Sequence, residues 1–326
     1  MDWKALFGRT TFMMSMALVA SLGLGLSDHF PHIEPEYRSN ATIIILAIMM
    51  TFALSRIPFK GMNPLKDLRS SAKALFLGVV LASSIPLAAS FFFDEPAYKI
   101  GLVFIGLTPF AASVVPLTYI MRGDFHHAAR GTLVVYVSAI AYIPAVVWIV
   151  LGETVPMAEV VKAVFLVVLL PLLLSRFLQN VEIDKRNMAV FLNSCIFILV
   201  FISVGPTAKM FLSEKVLLLT FMGIGVARTF GLGITLEYIE RKRGIPWGQR
   251  VTDVLMLSYK NKGIAIALVT AVALASLSPD KIGMALFPVT SSIVIEICWV
   301  IFMDSVLLSP KRMRAELGEE DSAEVP

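Results

Sequence analysis

Four ionisable side chains stand inside long apolar runs of this sequence: Arg228, Lys260, Lys262 and Glu296. A charge at the centre of a bilayer costs roughly 2.5–3.5 kcal/mol on insertion scales, so such residues face a protein interior, pair there and mark function. A buried lysine shifts its proton affinity readily, which opens two chemistries for Lys260. It can titrate together with Glu296 and couple a process to protons, or it can stay charged and hold an anion. The structural alternative is an Arg/Lys–Glu bridge that ties neighbouring helices together. Arg228 has a further alternative, in which it sits nearer the cytoplasmic end and snorkels to the headgroups.

The elements that would position these residues follow from composition. Residues AVILMFWYC make up 57% of the 326 and charged residues only 16%, with a mean hydropathy of +0.79. Soluble domains are about 45–50% apolar and about 25% charged. Lipid is therefore the solvent, and the chain reads as an all-α, multi-pass membrane protein of the cell or inner membrane. The first apolar run lacks a cleavage pattern and is read as a span. Apolar runs fall near 11–26, 41–55, 72–93, 98–121, 129–151, 158–178, 188–204, 215–236, 251–277 and 283–307, which predicts ten spans. Lys and Arg collect at the N-terminus and in every second loop: Lys4 and Arg9; Arg56, Lys60, Lys66, Arg69 and Lys73; Arg122 and Arg130; Arg176, Lys185 and Arg186; Arg241 to Arg250; Lys311 to Arg314. That alternation predicts both termini in the cytoplasm. It also accounts for the net charge of +4 without a nucleic-acid partner.

Two spans read as broken. The fourth carries Pro109 and Pro116 within Thr108–Thr118, and proline removes a backbone donor and clashes with the preceding turn. The ninth carries Ser258-Tyr259-Lys260-Asn261-Lys262-Gly263 between apolar stretches. Each is fourth in a block of five, and five is odd, so the second block would insert upside down relative to the first. Interruptions at matching positions of inverted repeats point to a midplane binding site. The bland reading is a pair of kinks and polar residues that face neighbouring helices. The residues expected at such a crossover are Thr108, Pro109, Ser113, Pro116, Thr118, Asn261 and Gly263, with Lys260 beside them. Positive half-helix N-termini and Lys260 favour a small organic anion with a carboxylate or sulfonate group.

These segments resemble the bile acid:sodium symporter family. Gly106-Leu107-Thr108-Pro109 through Thr118-Tyr119-Ile120-Met121-Arg122-Gly123-Asp124 looks like that family's fourth helix, and Arg250-Val251-Thr252 through Asn261-Lys262-Gly263-Ile264-Ala265 like its ninth. Leu46–Phe59 and the basic loop after it look like its second helix and first cytoplasmic loop. The resemblance implies ten helices in two inverted repeats, residues 1–151 and 152–307, followed by a cytoplasmic tail, 308–326. It also implies a panel domain (spans 1, 2, 6 and 7) and a core domain (spans 3–5 and 8–10). Sodium-coupled members place a Ser-Asn pair in helix four and a Glu and a Gln in helix nine. In this register those positions hold Val114, Val115, Met256 and Lys260. Hydrocarbon cannot serve a hard cation that wants oxygen ligands. The expectation is a secondary transporter without sodium coupling, in which Lys260 replaces the coupling cation and Glu296 and Arg228 are its charge partners. Transport would then be proton-coupled, uniport or exchange.

Other readings rank lower. Arsenite-type efflux carriers of the same superfamily use a cysteine in the helix-four crossover, but Cys195 and Cys298 lie elsewhere. A non-transporting sensor on the same scaffold would also have lost the ion ligands. No H-E-x-x-H, G-x-S-x-G or paired intramembrane aspartates point to an enzyme, and no cofactor or metal is expected. His29-x-x-His32 reads as a solvated loop, His126-His127 as interfacial, Asp253 and Asp304 as cytoplasmic ends, and the acidic tail after Lys311 as disordered.

Overall fold

The computed structural model describes residues 6–57 and 63–318. Lys4, Phe59, Lys60 and the tail acids Glu319, Glu320, Asp321 and Glu324 lie outside the described residues. The chain is all-helical, and it is an integral membrane protein. Among the described residues seven helices are long and apolar enough to cross a bilayer: α2 (Pro35–Ser55), α3 (Leu68–Ser90), α6 (Phe125–Thr154), α7 (Met157–Leu174), α8 (Lys185–Thr207), α9 (Lys215–Lys242) and α12 (Pro279–Leu307). Shorter apolar helices are α1 (Thr10–Leu26), α4 (Pro96–Leu107) and α11 (Lys262–Ser276). Two short helices complete the broken segments, α5 (Val114–Ile120) after α4 and α10 (Trp247–Ser258) before α11. A last helix, α13, spans Pro310–Leu317.

Local sequence sets the helix starts. Asp67, Asp124, Asp184 and Asn261 each occupy an N-cap and accept from a backbone N–H three residues on. This satisfies one of the orphan donors of the first turn. Pro35 and Pro96 stand in the first turns of α2 and α4, where a missing N–H costs nothing. Pro116 falls in the first turn of α5 for the same reason, so this proline starts a helix rather than breaking one.

In packing, α1 lies along α8, and α2 lies against α7 and α8. On the other side α3 packs on α4 and α6, while α12 packs on α4, α9 and α11. Gly101 of α4 lets the first of these contacts with α12 close up, because a Cβ there would run into the Ala285 carbonyl. The α11 helix bridges the two groups by resting on α2 and α7. Four long helices carry π-turns: Phe76–Leu81 in α3, Phe165–Leu169 in α7, Ala227–Gly231 in α9 and Met303–Leu307 in α12. Single π-turns inside α-helices concentrate at functional sites. Those in α3 and α9 flank the broken segments.

The tail departs from the disorder expected of it. From Pro310 to Leu317 it is helical and docked. Arg312 pairs with Glu237, and Glu316 accepts from Arg250 at 2.5 Å. The local charge pattern suggested a solvated acidic tail, but these groups find buried partners on α9 and α10.

Candidate functional site

The two broken segments cross backbone to backbone. Ala111 N–H donates to the Tyr259 carbonyl at 2.7 Å, and Asn261 N–H donates to the Pro109 carbonyl at 2.9 Å. Phe110 and Lys260 thus face each other in a one-rung antiparallel bridge. Non-helical backbone survives at this depth only where protein satisfies it, and here two tyrosine hydroxyls serve its carbonyls. Tyr136 Oη donates to the Phe110 carbonyl at 2.9 Å, and Tyr142 Oη to the Leu107 carbonyl at 2.8 Å. Asn261 Nδ2 reaches Tyr136 Oη at 3.1 Å, while its Oδ1 caps α11 through Ile264 N–H at 3.1 Å.

Lys260 supplies three further donors. Its side chain is buried, and Nζ donates to the carbonyls of Gly78 (2.9 Å), Gly106 (2.8 Å) and Thr108 (2.7 Å). An ammonium has three donors, and all three are used on backbone oxygen. Gly106 and Thr108 belong to the C-terminal end of α4, where the helix dipole leaves partial negative charge and a cation is favoured. Gly78 comes from the π-turn of α3. It must be glycine-sized, since a Cβ there would lie 2.8 Å from the Phe110 ring.

Arg228 performs the matching task on the second half-helix. It sits in the π-turn of α9, 1% exposed, and Nη1 donates to the Ser258 carbonyl at the end of α10 at 3.2 Å. Snorkelling does not occur, because the side chain turns inward onto the Ser258 carbonyl. Lys262, the first residue of α11, forms an ion pair with Glu296 of α12 at 3.0 Å. Glu296 is therefore the partner of Lys262. The expected Lys260–Glu296 pairing is corrected: carbonyls of α3 and of the first broken segment reach the Lys260 ammonium instead.

The remaining sequence-selected residues divide. Thr108, Pro109, Asn261 and Gly263 lie at the crossing, and a Cβ on Gly263 would meet Leu46 of α2 at 2.7 Å. Ser113 is half-buried at the start of α5, and Pro116 is exposed on it. Thr118 lies near the far end of α5, where its carbonyl accepts from Gly123 N–H at 2.7 Å. Val114, Val115 and Met256 are buried among apolar side chains and offer no oxygen from their side chains. With Lys260 filling the fourth position, these four residues do not fit a sodium ion.

The conspicuous ends of the two segments turn out to be docking partners. Asp124 N–H donates to the Gly248 carbonyl at 2.8 Å and to Thr252 Oγ1 at 2.9 Å, and Trp247 Nε1 donates to the Met121 carbonyl at 3.0 Å. Beside them lies a polar cluster that the sequence did not disclose. Lys73 Nζ contacts Asp253 Oδ2 at 2.5 Å and Glu240 Oε1 at 2.7 Å. His127 bridges Asp253 Oδ1 (3.0 Å) and Ser70 Oγ (2.6 Å). His127 is thus buried rather than interfacial, and Asp253, near the start of α10, is fully buried. A lysine on the first turns of α3 and a carboxylate one turn into α10 were the available signals. Neither names its partner.

Comparison with known families locates the chain. The model of the sodium bile acid symporter family matches residues 43–212, just over half of the sequence. The matched stretch includes the first broken segment and ends before the second. No curated protein matches the chain significantly.

Proposed function

The chain belongs to the sodium bile acid symporter family, a family of membrane transporters, and on that premise we propose that it carries a small organic anion by alternating access without sodium coupling. In this reading α4 with α5, and α10 with α11, each form one broken pass. The count is then ten passes in two inverted repeats, residues 1–151 and 152–307, with both termini and the tail 308–326 in the cytoplasm. The panel comprises α1, α2, α7 and α8, and the core comprises the rest of the spans. The matching placement of the π-turns in α3 and α9, each third in its block, supports the repeat.

One observation carries the loss of sodium coupling: the Lys260 ammonium donates to three backbone carbonyls at the crossing. A tethered cation there does the electrostatic work of a bound one. It holds the negative end of α4 against the second broken segment. At the crossing Arg228, Lys260 and Lys262 stand with Glu296, an excess of positive charge that suits an anion.

Thermal unfolding of the detergent-purified protein in sodium chloride and in choline chloride tests this. The expected curves coincide. A stabilisation specific to sodium overturns the reading. Flux separates transport from sensing, because a sensor binds anions without moving them into proteoliposomes under any gradient.

A further inference from the structure

The three interior cations are not equivalent. Arg228 and Lys260 are committed to backbone carbonyls, partners that no substrate can replace without unmaking the crossing. Lys262 is held by a carboxylate side chain, Glu296, at 3.0 Å. It is also the most exposed of the three, at 8% against 2% for Lys260 and 1% for Arg228.

Its position adds a reason for exchange. Lys262 is the first residue of α11, at the positive end of the helix dipole, where a cation is disfavoured and an anion favoured. The adjoining Gly263 abuts Leu46 of α2 and Leu199 of α8. Lys262 therefore stands where the crossing meets the α2/α8 side of the molecule. Neither Lys262 Nζ nor Glu296 Oε2 makes a well-aligned hydrogen bond, although both atoms are buried. The pair is held by charge and retains unused hydrogen-bonding capacity. The other ionisable groups that face it are Arg228 of α9 and Tyr259 and Lys260 of the crossing.

We propose that Lys262 is the residue that takes the anionic group of the substrate, and that it does so by releasing Glu296, which leaves with a proton from solution. This rests on the organic-anion reading above. The exchange conserves charge. With Glu296 ionised the four residues sum to +2. An incoming monoanion subtracts one, and protonation of Glu296 restores it. No covalent bond to carbon changes, and one O–H bond forms on Glu296. The loaded and empty carriers then present the same buried charge to the low-dielectric interior, where any uncompensated charge is costly. A monoanion moves with one proton, and its cycle is electroneutral.

The test is the pH dependence of anion binding to the full-length protein, read by thermal shift with acetate, succinate and taurocholate as probes. Obligatory uptake of one proton weakens a monoanion's affinity about tenfold for each pH unit above the point where free Glu296 loses its proton. Glu296→Gln mimics the protonated acid and keeps binding without that slope. Lys262→Met loses binding, and Lys262→Arg retains both binding and slope. Infrared difference spectra add a second readout: a protonated-carboxyl band that appears on anion binding and is missing in E296Q. Binding to the wild type with no pH slope and no such band overturns this proposal and leaves organic-anion binding standing. Failure of all three probes to bind at any pH overturns both. Should K262M not fold, the slopes of the wild type and E296Q decide alone.

Discussion

The molecule contains two buried charge clusters, and they are built by opposite rules. At the crossing, Arg228, Lys260, Lys262 and Glu296 have more positive than negative charge, and two of the cations end on backbone carbonyls. At the docked ends of α3, α6, α9 and α10, side chains pair with side chains: Lys73 with Asp253 and Glu240, His127 with Asp253, Arg130 with Asp67, Arg250 with Glu237 and Glu316. The first cluster stabilises irregular backbone and leaves a surplus of positive charge. The second pairs side chain with side chain and serves to latch helix ends. Buried charge thus holds irregular backbone in place at the crossing, and helix end against helix end at the latch.

Substitutions can break that contrast. The largest effect is expected at Lys260→Met, which leaves the Gly78, Gly106 and Thr108 carbonyls without this donor. Gly106 keeps Ser83 Oγ as a donor, so two carbonyls are left short; each orphaned buried group costs about 1–3 kcal/mol, and chemical denaturation should show a loss of at least about 2 kcal/mol. Lys260→Ala should regain part of its loss in sodium chloride but not in choline chloride, because it frees both the carbonyls and the space of the ammonium. Next comes Lys73→Met, which leaves Asp253 and Glu240 facing each other. Removing one partner of a fully buried pair costs about 3–5 kcal/mol, but the Lys73 side chain is 35% exposed. Screening reduces the expectation to about 2 kcal/mol. Its anion affinity should stay within twofold of the wild type, which would separate latch from site. A Tyr142→Phe variant removes one donor from the Leu107 carbonyl, with about 1 kcal/mol expected.

The smallest effect concerns the latch at its rim. The Ser70 backbone N–H and the Arg130 guanidinium hold Asp67 below the usual carboxylate value of 3.8. A carboxylate depressed in the folded state contributes stability above its unfolded pKa and loses it as pH falls through the folded one. The difference in Tm between wild type and Asp67→Asn should therefore be constant at neutral pH and shrink below about pH 4.

Much of this was legible in the chain. Pro109 and the polar run Ser258–Gly263 marked both breaks, because proline and charge have no other easy place in an apolar span. Lys260 announced itself for the same reason. Its partners did not, since a carbonyl donated by Gly78 leaves no trace in the side-chain alphabet. The pairing of Lys262 with Glu296, and of Lys73 with Asp253 and Glu240, depends on the rotational setting of one helix against another. Hydrophobic periodicity fixes that setting loosely in a helix that is apolar all round. The π-turns were equally silent, because the residues that widen a turn are ordinary ones such as Phe76-Leu77-Gly78.

Lys260 also bears on where such a carrier can work. A dissociable cation occupies its site in proportion to its concentration in the medium. A side chain covalently fixed within 3 Å of its acceptors has an effective concentration that dilution cannot change. A protein built this way keeps its crossing intact in fresh water, in brine or in a potassium-rich cytoplasm.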